Sequence, residues 1–182
     1  MKITILNGNP DGRNTDFDLF IEKLSIFLDK EQKKVRHLKL RGMDIKYCNG
    51  CWGCWVKTPG ECQFPDDSKT VCEEVINSDL VLFASPMIMG FTSALLKKTM
   101  DKLIPLLHPY IEFVRKECHH RKRYDKYPKI GLLLDKTGAD EEDVAITVSI
   151  FERFALNFKN RLNFVEYTTH PVQEVMNEIN NL

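Results

Sequence analysis

Of the six cysteines in this chain of 182 residues, four fall in one short stretch, Cys48-x2-Cys51-x2-Cys54-x7-Cys62. Three thiols at two-residue gaps, in a loop that carries Gly50 and Gly53, can converge on one point. A fourth, after the Pro59-Gly60 turn, can return to complete the set. The spacing is close to that which holds a 4Fe–4S cluster, although the last gap is longer and no proline follows Cys62 directly. Zinc sites more often pair two Cys-x-x-Cys knuckles across a longer spacer. Three readings therefore stand side by side: a cluster, unmetallated thiols with a structural or redox role, and zinc. Trp52 and Trp55 flank the thiols, where they would shield a cluster from water or form a hydrophobic contact between subunits. Cys72 falls on a helical face and reads as a small core residue, and Cys118 stands apart.

A second chemistry is written into the first residues. The β-branched run Lys2-Ile3-Thr4-Ile5-Leu6 leads at once into the turn formers Asn7-Gly8-Asn9-Pro10-Asp11-Gly12. Asn14 or Thr15 can then cap a helix whose apolar face begins at Phe17. Strand, small-residue loop and helix start aim backbone N–H groups and a positive dipole end at one spot, which suits an anion such as a phosphate. Neither a G-x-G-x-x-G nor a G-x-x-x-x-G-K-[ST] pattern is present. An ordinary βα turn is the competing reading.

These groups must be carried by a frame, and the pattern of apolar residues predicts one. Phe17, Phe20, Ile21, Leu24, Phe27 and Leu28 keep helical spacing, and Lys33 to Leu40 gives a second strand. The stretch 48–67 is irregular and is followed by a short helix to Ile76. Leu80 to Ala84, ending at Ser85-Pro86, and Ile130 to Leu134 are continuous apolar runs, the mark of strands buried on both faces. Between them Leu95, Leu96, Met100, Leu103 and Leu107 line a helix predicted to continue past Pro109. Val144 to Phe158 forms another helix, Leu162 to Thr168 a last strand, and Val172 to Ile179 a closing helix. Five strands alternating with helices predict a three-layer α/β/α domain over residues 1–182 with a parallel sheet. Ligands of such sheets sit beyond the carboxyl ends of the strands. The loops Asn7–Asn14, Ser85–Phe91 and Asp135–Asp140 meet that condition, and their small and polar residues allow close approach to a flat or anionic ligand.

The totals narrow the field. Charges balance, 26 basic against 26 acidic residues, so no global field recruits nucleic acid or a membrane surface. No apolar run spans a bilayer, and the chain opens directly on a strand, which predicts a cytoplasmic protein with reduced thiols. His119-His120-Arg121-Lys122-Arg123 reads as a solvated basic run, or as a site for a 2′-phosphate or an acidic partner. No Ser-His-Asp or Cys-His constellation is legible, so no side chain is assigned as catalytic.

Gly8-Asn9-Pro10 with Asn14-Thr15, the cysteine stretch, Asp66-Asp67, Ser85-Pro86 with Gly90, and Lys97 with Asp101 together resemble the NADPH-dependent FMN reductase family. Its iron–sulfur flavoprotein-like branch is the nearest in pattern, and the resemblance covers Lys2 to about Gly138. It implies a flavodoxin-like fold with strand order 2-1-3-4-5, FMN at the strand ends, and a homodimer or homotetramer. The phosphate would fall to Asn9, Asp11, Gly12, Asn14 and Thr15. The ring would lie against Pro86, Met87, Ile88, Met89 and Gly90, with Thr137 and Gly138 at its other edge. Cys48, Cys51, Cys54 and Cys62 would be the ligands of a cluster. Two positions depart from the family's usual pattern, and the ring stretch Met87-Ile88-Met89 lacks the usual aromatic residue. Asn9 stands where Ser is usual, and Asp11 stands near the usual Arg. An acid beside a phosphate costs affinity unless it points away. The implied activity is electron transfer from NAD(P)H through FMN to a small-molecule or protein acceptor. An electron carrier without pyridine-nucleotide turnover, or a flavin-free binding module on the same fold, are the alternatives.

Overall fold

The computed structural model describes residues 1–114 and 116–182. Its elements run β1 (Lys2–Asn7), α1 (Thr15–Lys30), β2 (Lys34–Lys39), α2 (Gly53–Val56), α3 (Ser68–Ile76), β3 (Leu80–Ile88) and β4 (Phe91–Thr92). Then come α4 (Ala94–Asp101), β5 (Leu107–Val114), β6 (Glu117–Lys122), β7 (Lys129–Asp135), α5 (Glu141–Asn157), β8 (Leu162–Tyr167) and α6 (Val172–Asn180). The long strands pair in parallel in the order β2-β1-β3-β7-β8, so the five principal strands, numbered by themselves, follow the expected 2-1-3-4-5. No described helix is long and apolar enough to cross a membrane.

Alternation along the central strands sends side chains to two cores. Ile3, Ile5, Leu80, Leu82 and Leu133 meet α1 and α6 on one face. Leu6, Val81, Phe83, Leu132 and Leu134 meet α3, α4 and α5 on the other. With both faces covered, these strands carry the continuous apolar runs that the sequence displays. All their carboxyl ends point one way, and the loops that leave those ends gather above the sheet.

Two expectations fail. The helix predicted to run to Leu107 and past Pro109 ends at Asp101. Pro105 is the reason, since a proline ring clashes with the carbonyl four residues earlier and lacks the N–H of the next turn. Leu103 and Leu106 still reach the core through a 3-10 turn, and Leu107 to Val114 becomes a strand paired antiparallel with β6. Tyr110, Ile111, Phe113 and Val114 are the β-branched and aromatic types that favour this state. Of residues 87–91, expected as a loop after Ser85-Pro86, Met87 and Ile88 extend β3 and Phe91 opens β4. The chain turns back at Met89-Gly90, both left-handed (φ 52° and 79°), into β4.

Candidate functional site

A buried polar network builds the first loop. Asn9 is fully enclosed, and its side-chain amide donates to the carbonyl of Asn14 (3.0 Å) and to Asp18 (3.2 Å). Its own amide oxygen accepts from the backbone N–H of Asp11 (3.1 Å). Asn7 closes the other side, donating to Asp18 (2.9 Å) and accepting from the backbone of Asn9 (2.9 Å). Asp18, in the first turn of α1, thus gathers donors from both asparagines and a bidentate ion pair from Arg41 (3.1 and 2.5 Å). Burial alone would raise its carboxyl, but these hydrogen bonds outweigh it and hold the group below the ordinary range. Asn14 caps α1 through its side chain.

The departure at Asp11 is resolved locally. Arg13 forks onto both of its oxygens (3.0 and 2.8 Å) and holds the carboxyl at about 2. A phosphate at this helix start would therefore meet a paired carboxylate. No hydrogen bond within the described residues engages the backbone N–H of Gly12 or the hydroxyl of Thr15, which leaves donors at the helix start for an anion.

The second loop is locked to the first. Gly8 donates its N–H to the carbonyl of Ala84 (2.7 Å), and Ser93, the N-cap of α4, donates its hydroxyl to the carbonyl of Gly8 (2.5 Å). Ser93 also donates its N–H to Ser85 (2.9 Å). A Cβ on Gly8 would lie 2.6 Å from the Cβ of Leu96, so only glycine lets strand and helix approach this closely. In the third loop Asp135 accepts from the backbone N–H (3.1 Å) and hydroxyl (2.6 Å) of Thr137.

The three loops enclose a cleft of about 580 Å³. Of the expected residues, Asn9, Asp11, Asn14, Pro86, Met87, Ile88 and Thr137 line it. Gly12, Thr15, Met89, Gly90 and Gly138 do not; Met89 is fully exposed at the tip of the β3–β4 turn. Gly90 is enclosed by α5 instead, where an added Cβ would stand 2.4 Å from the Asp143 carboxylate. Asp135, from the third of the loops expected at the strand ends, lines the cleft as well, as do Phe17, Phe20, Thr168 and Thr169, which the sequence does not single out as site residues. The two threonines follow the last strand and were discoverable from the strand-end rule alone. Arg41 carried no sequence signal, because it comes to Asp18 only through the β1–β2 pairing. The volume lies within the roughly 300–1,000 Å³ of small-molecule sites. One end is polar, at the start of α1, and the other carries Pro86, Met87 and Ile88, so the residues fit a phosphate joined to a flat ring system.

A separate cavity of about 410 Å³ is lined by Cys48, Cys51, Cys54 and Cys62 together, with Tyr47, Trp52, Phe64, Phe154 and Phe158 among its walls. All four cysteines of the stretch thus line one space. Burial first, then the neighbouring Cys48, Cys62 and Cys51, pushes the Cys54 thiol up. Gln63 donates its side-chain N–H to the sulfur of Cys51 (3.0 Å), and Lys102 donates to that of Cys62 (3.1 Å). Lys102 also pairs with Asp66 (3.0 Å). Burial would raise the Asp66 carboxyl, but donors from Ser68, Lys102 and Lys46 overcome it and leave it at about 2. Trp52 stacks on Trp55 (centroids 4.8 Å apart), and Trp55 is anchored to the carbonyl of Leu107 (3.1 Å). Cys72 is a buried thiol pushed up to about 12 by desolvation, in keeping with a core role. Among the described residues, the one group of three His, Cys, Asp or Glu side chains whose ligand atoms all lie within 4.8 Å of one another is Glu166, His170 and Glu174. No three cysteine sulfurs are that close.

Of the basic run near residue 120, His119, His120 and Arg123 are engaged within the hairpin, whereas Arg121 and Lys122 are exposed. His120 meets the carbonyl of His108 (2.9 Å), His119 meets Glu117 (3.1 Å), and Arg123 donates to the carbonyl of Leu107 (3.2 Å).

A parallel five-stranded sheet with a phosphate-type loop after its first strand and a cleft over the strand ends defines the flavodoxin-like class of α/β proteins. Within that class the chain belongs to the NADPH-dependent FMN reductase family, whose model matches residues 1–118. It is similar to an iron–sulfur flavoprotein of Archaeoglobus fulgidus, 30% identical over 106 residues, which covers 56% of this chain and 48% of that one. A second iron–sulfur flavoprotein, from Methanocaldococcus jannaschii, is 28% identical over 108 residues, covering 58% of this chain and 53% of the relative. The chain thus spans about half the length of the curated relatives it matches. Among solved structures, a protein from Klebsiella pneumoniae described as a quinone reductase superposes with a TM-score of 0.67 at 13% identity, over 98% of this chain and 81% of that one. An azoreductase of Bacillus anthracis gives 0.66 at 14% identity, over 98% and 92%. At such identities the likeness is one of fold.

Proposed function

We propose that the protein is an FMN-dependent NAD(P)H oxidoreductase that passes electrons to a small-molecule or protein acceptor. The observation that carries the reading is that loops from three different strand ends line one cleft with a polar and an apolar end. FMN bound there would supply hydride and electron chemistry, which belongs to the flavin rather than to a side chain. The residues of the chain position it. Asn7, Asn9, Asp18 and Arg41 hold the phosphate loop rigid, Asn14 lines the cleft at the start of α1, and Gly12 and Thr15, outside its lining, carry unengaged donors beside it. Pro86, Met87 and Ile88 give the ring an apolar bed, since methionine packs readily against flat polarizable groups. Thr137 borders the opposite edge. No acid or base in this cleft is needed for hydride transfer, so none is assigned.

Cys48, Cys51, Cys54 and Cys62 form the second part of the proposal, as ligands of a 4Fe–4S cluster. Support comes from the four cysteines lining one cavity with aromatic walls, their Cys-x2-Cys-x2-Cys-x7-Cys spacing, and the similarity to relatives named iron–sulfur flavoproteins. A cytoplasmic location and a homodimer or homotetramer complete the reading.

The test is anaerobic mixing of the FMN-loaded protein with NADPH or NADH. Bleaching of the flavin absorbance within a turnover time is the expected result. A flavin that stays oxidised with both nucleotides, yet accepts electrons from dithionite, would assign a carrier instead. A protein that neither quenches FMN fluorescence nor gains thermal stability from excess FMN would end the flavin reading altogether.

A further inference from the structure

We infer that Lys102 is a positioning residue of the cysteine cavity, whose ammonium donates to the Cys62 sulfur and raises the reduction potential of an iron–sulfur cluster held there. The inference rests on the cluster reading above. Lys102 ends the α4 segment and is 3% exposed. Its Nζ lies 3.1 Å from the Sγ of Cys62 and 3.0 Å from a carboxylate oxygen of Asp66. The Asp66 side chain is itself enclosed and accepts from the backbone N–H of Lys46 (3.0 Å) and of Ser68 (2.9 Å), so it cannot follow the lysine away. The ammonium is therefore pinned against the sulfur.

The arrangement is costly unless it serves something. A buried lysine loses its hydration, and an apolar pair of similar volume commonly stabilises a fold as well as a buried ion pair does. A third partner that becomes more negative changes that balance. Metal-bound thiolates take up part of the charge when a cluster is reduced, and hydrogen bonds and charge at the sulfurs are recognised determinants of cluster potential. An N–H donor carrying a full positive charge at 3.1 Å favours the reduced form more than the neutral donor that Gln63 offers Cys51 at 3.0 Å. Asp66 keeps the lysine charged and aimed, which makes it the support of this contact.

The test uses the full chain reconstituted anaerobically with ferrous iron and sulfide, then titrated potentiometrically with dithionite. Each cluster takes one electron from dithionite, its core passing from 2+ to 1+; no iron–sulfur bond breaks and Lys102 stays an ammonium. Reduction is read by electron paramagnetic resonance. Lys102→Met is expected to shift the midpoint to more negative potential, and Lys102→Arg, which keeps the charge, to stay near wild type. Lys102→Met can leave Asp66 unpaired and impair folding, so Lys102→Met with Asp66→Asn carries the same test without an isolated charge. Its midpoint is also expected below wild type. A midpoint unchanged or raised in the Met variants, with the cluster signal intact, overturns the inference and leaves the cluster reading standing. Wild-type protein that takes up no cluster overturns that reading, and the inference with it.

Discussion

The phosphate loop is shaped by side chains that face inward. Asp18 collects donors from Asn7, Asn9 and Arg41, and each of those residues touches the loop backbone or the side chain that holds it. Arg41→Met would leave the Asp18 carboxylate half-satisfied in an enclosed place, which costs about 1–3 kcal/mol of stability. The same change should weaken FMN binding about tenfold, or ~1.4 kcal/mol, because the loop loses its fixed geometry. Fluorescence titration of the apoprotein with FMN measures it, and unchanged affinity would mean that the loop is held by the asparagines alone. His37 adds a pH dependence. Its Nε2 lies 3.2 Å from the Asn7 amide nitrogen, which also donates to Asp18, so the ring must accept and be neutral. Burial first, then Lys39 and Arg41, pushes it below its ordinary 6.5, against the opposing pull of Asp18 and Glu22. A depressed histidine favours the fold fully above about pH 6.5 and loses that contribution as pH falls through this value toward the folded one, since the unfolded chain binds the proton more readily. Wild type should therefore lose urea resistance between pH 7.5 and pH 5.5 faster than His37→Gln. Parallel losses in the two proteins would count against the neutral ring.

Helices and strands bring constraints that single residues do not. The turn from β3 into β4 stands against the N-terminus of α5, whose Asp140–Asp143 capping box is complete. Gly90 has φ 79° and no room for a Cβ beside the Asp143 carboxylate, whereas Gly138 has φ 81° and open space around it. Both pay the left-handed strain on substitution by alanine, about 1 kcal/mol. Only Gly90→Ala also disrupts the cap, adding about 1 kcal/mol more. Thermal unfolding should rank Gly90→Ala below Gly138→Ala by roughly 3 °C. Equal melting temperatures would mean that Asp143 moves aside freely. The same reasoning explains why α4 stops where it does: Pro105 ends it at Asp101, and the 3-10 turn that follows delivers Leu106 to the core and starts the hairpin.

Across the whole molecule, the cleft and the cysteine cavity are distinct spaces with no lining residue in common. They occupy different parts of one sheet-centred frame, which allows a flavin and a cluster to coexist. The β5–β6 hairpin forms a two-stranded sheet of its own, and such a hairpin is marginal in water without a covering surface. Its Ile111 and Phe113, two residues apart on β5 and so on one face, are 50% and 73% exposed. In the proposed homodimer or homotetramer this face is the natural place for burial between copies. Sedimentation should find an assembled species in wild type and a smaller one in Phe113→Glu. A wild-type monomer at micromolar concentration would refute the assembly.

Much was decided before any coordinates. The apolar runs at Leu80 and Ile130 carry the mark of strands covered on both faces, and their alternation with helical faces predicts the parallel sheet that is found. The cysteine spacing likewise picked out four residues that line one cavity, because a short loop with glycines leaves four thiols few places to go. What sequence could not decide were the relations between residues far apart along the chain. Asp18 finds Arg41 only because β1 pairs with β2, Gly90 is confined only because α5 packs behind β4, and Lys102 reaches Cys62 only because α4 ends beside the cysteine loop. Residues 107–114 depart from the helical expectation for a related reason, since the choice of strand over helix there depends on a partner strand and on a proline that ends the preceding helix early. Local pattern carries propensity and period, whereas contact, burial and charge pairing arise only when the chain has closed on itself.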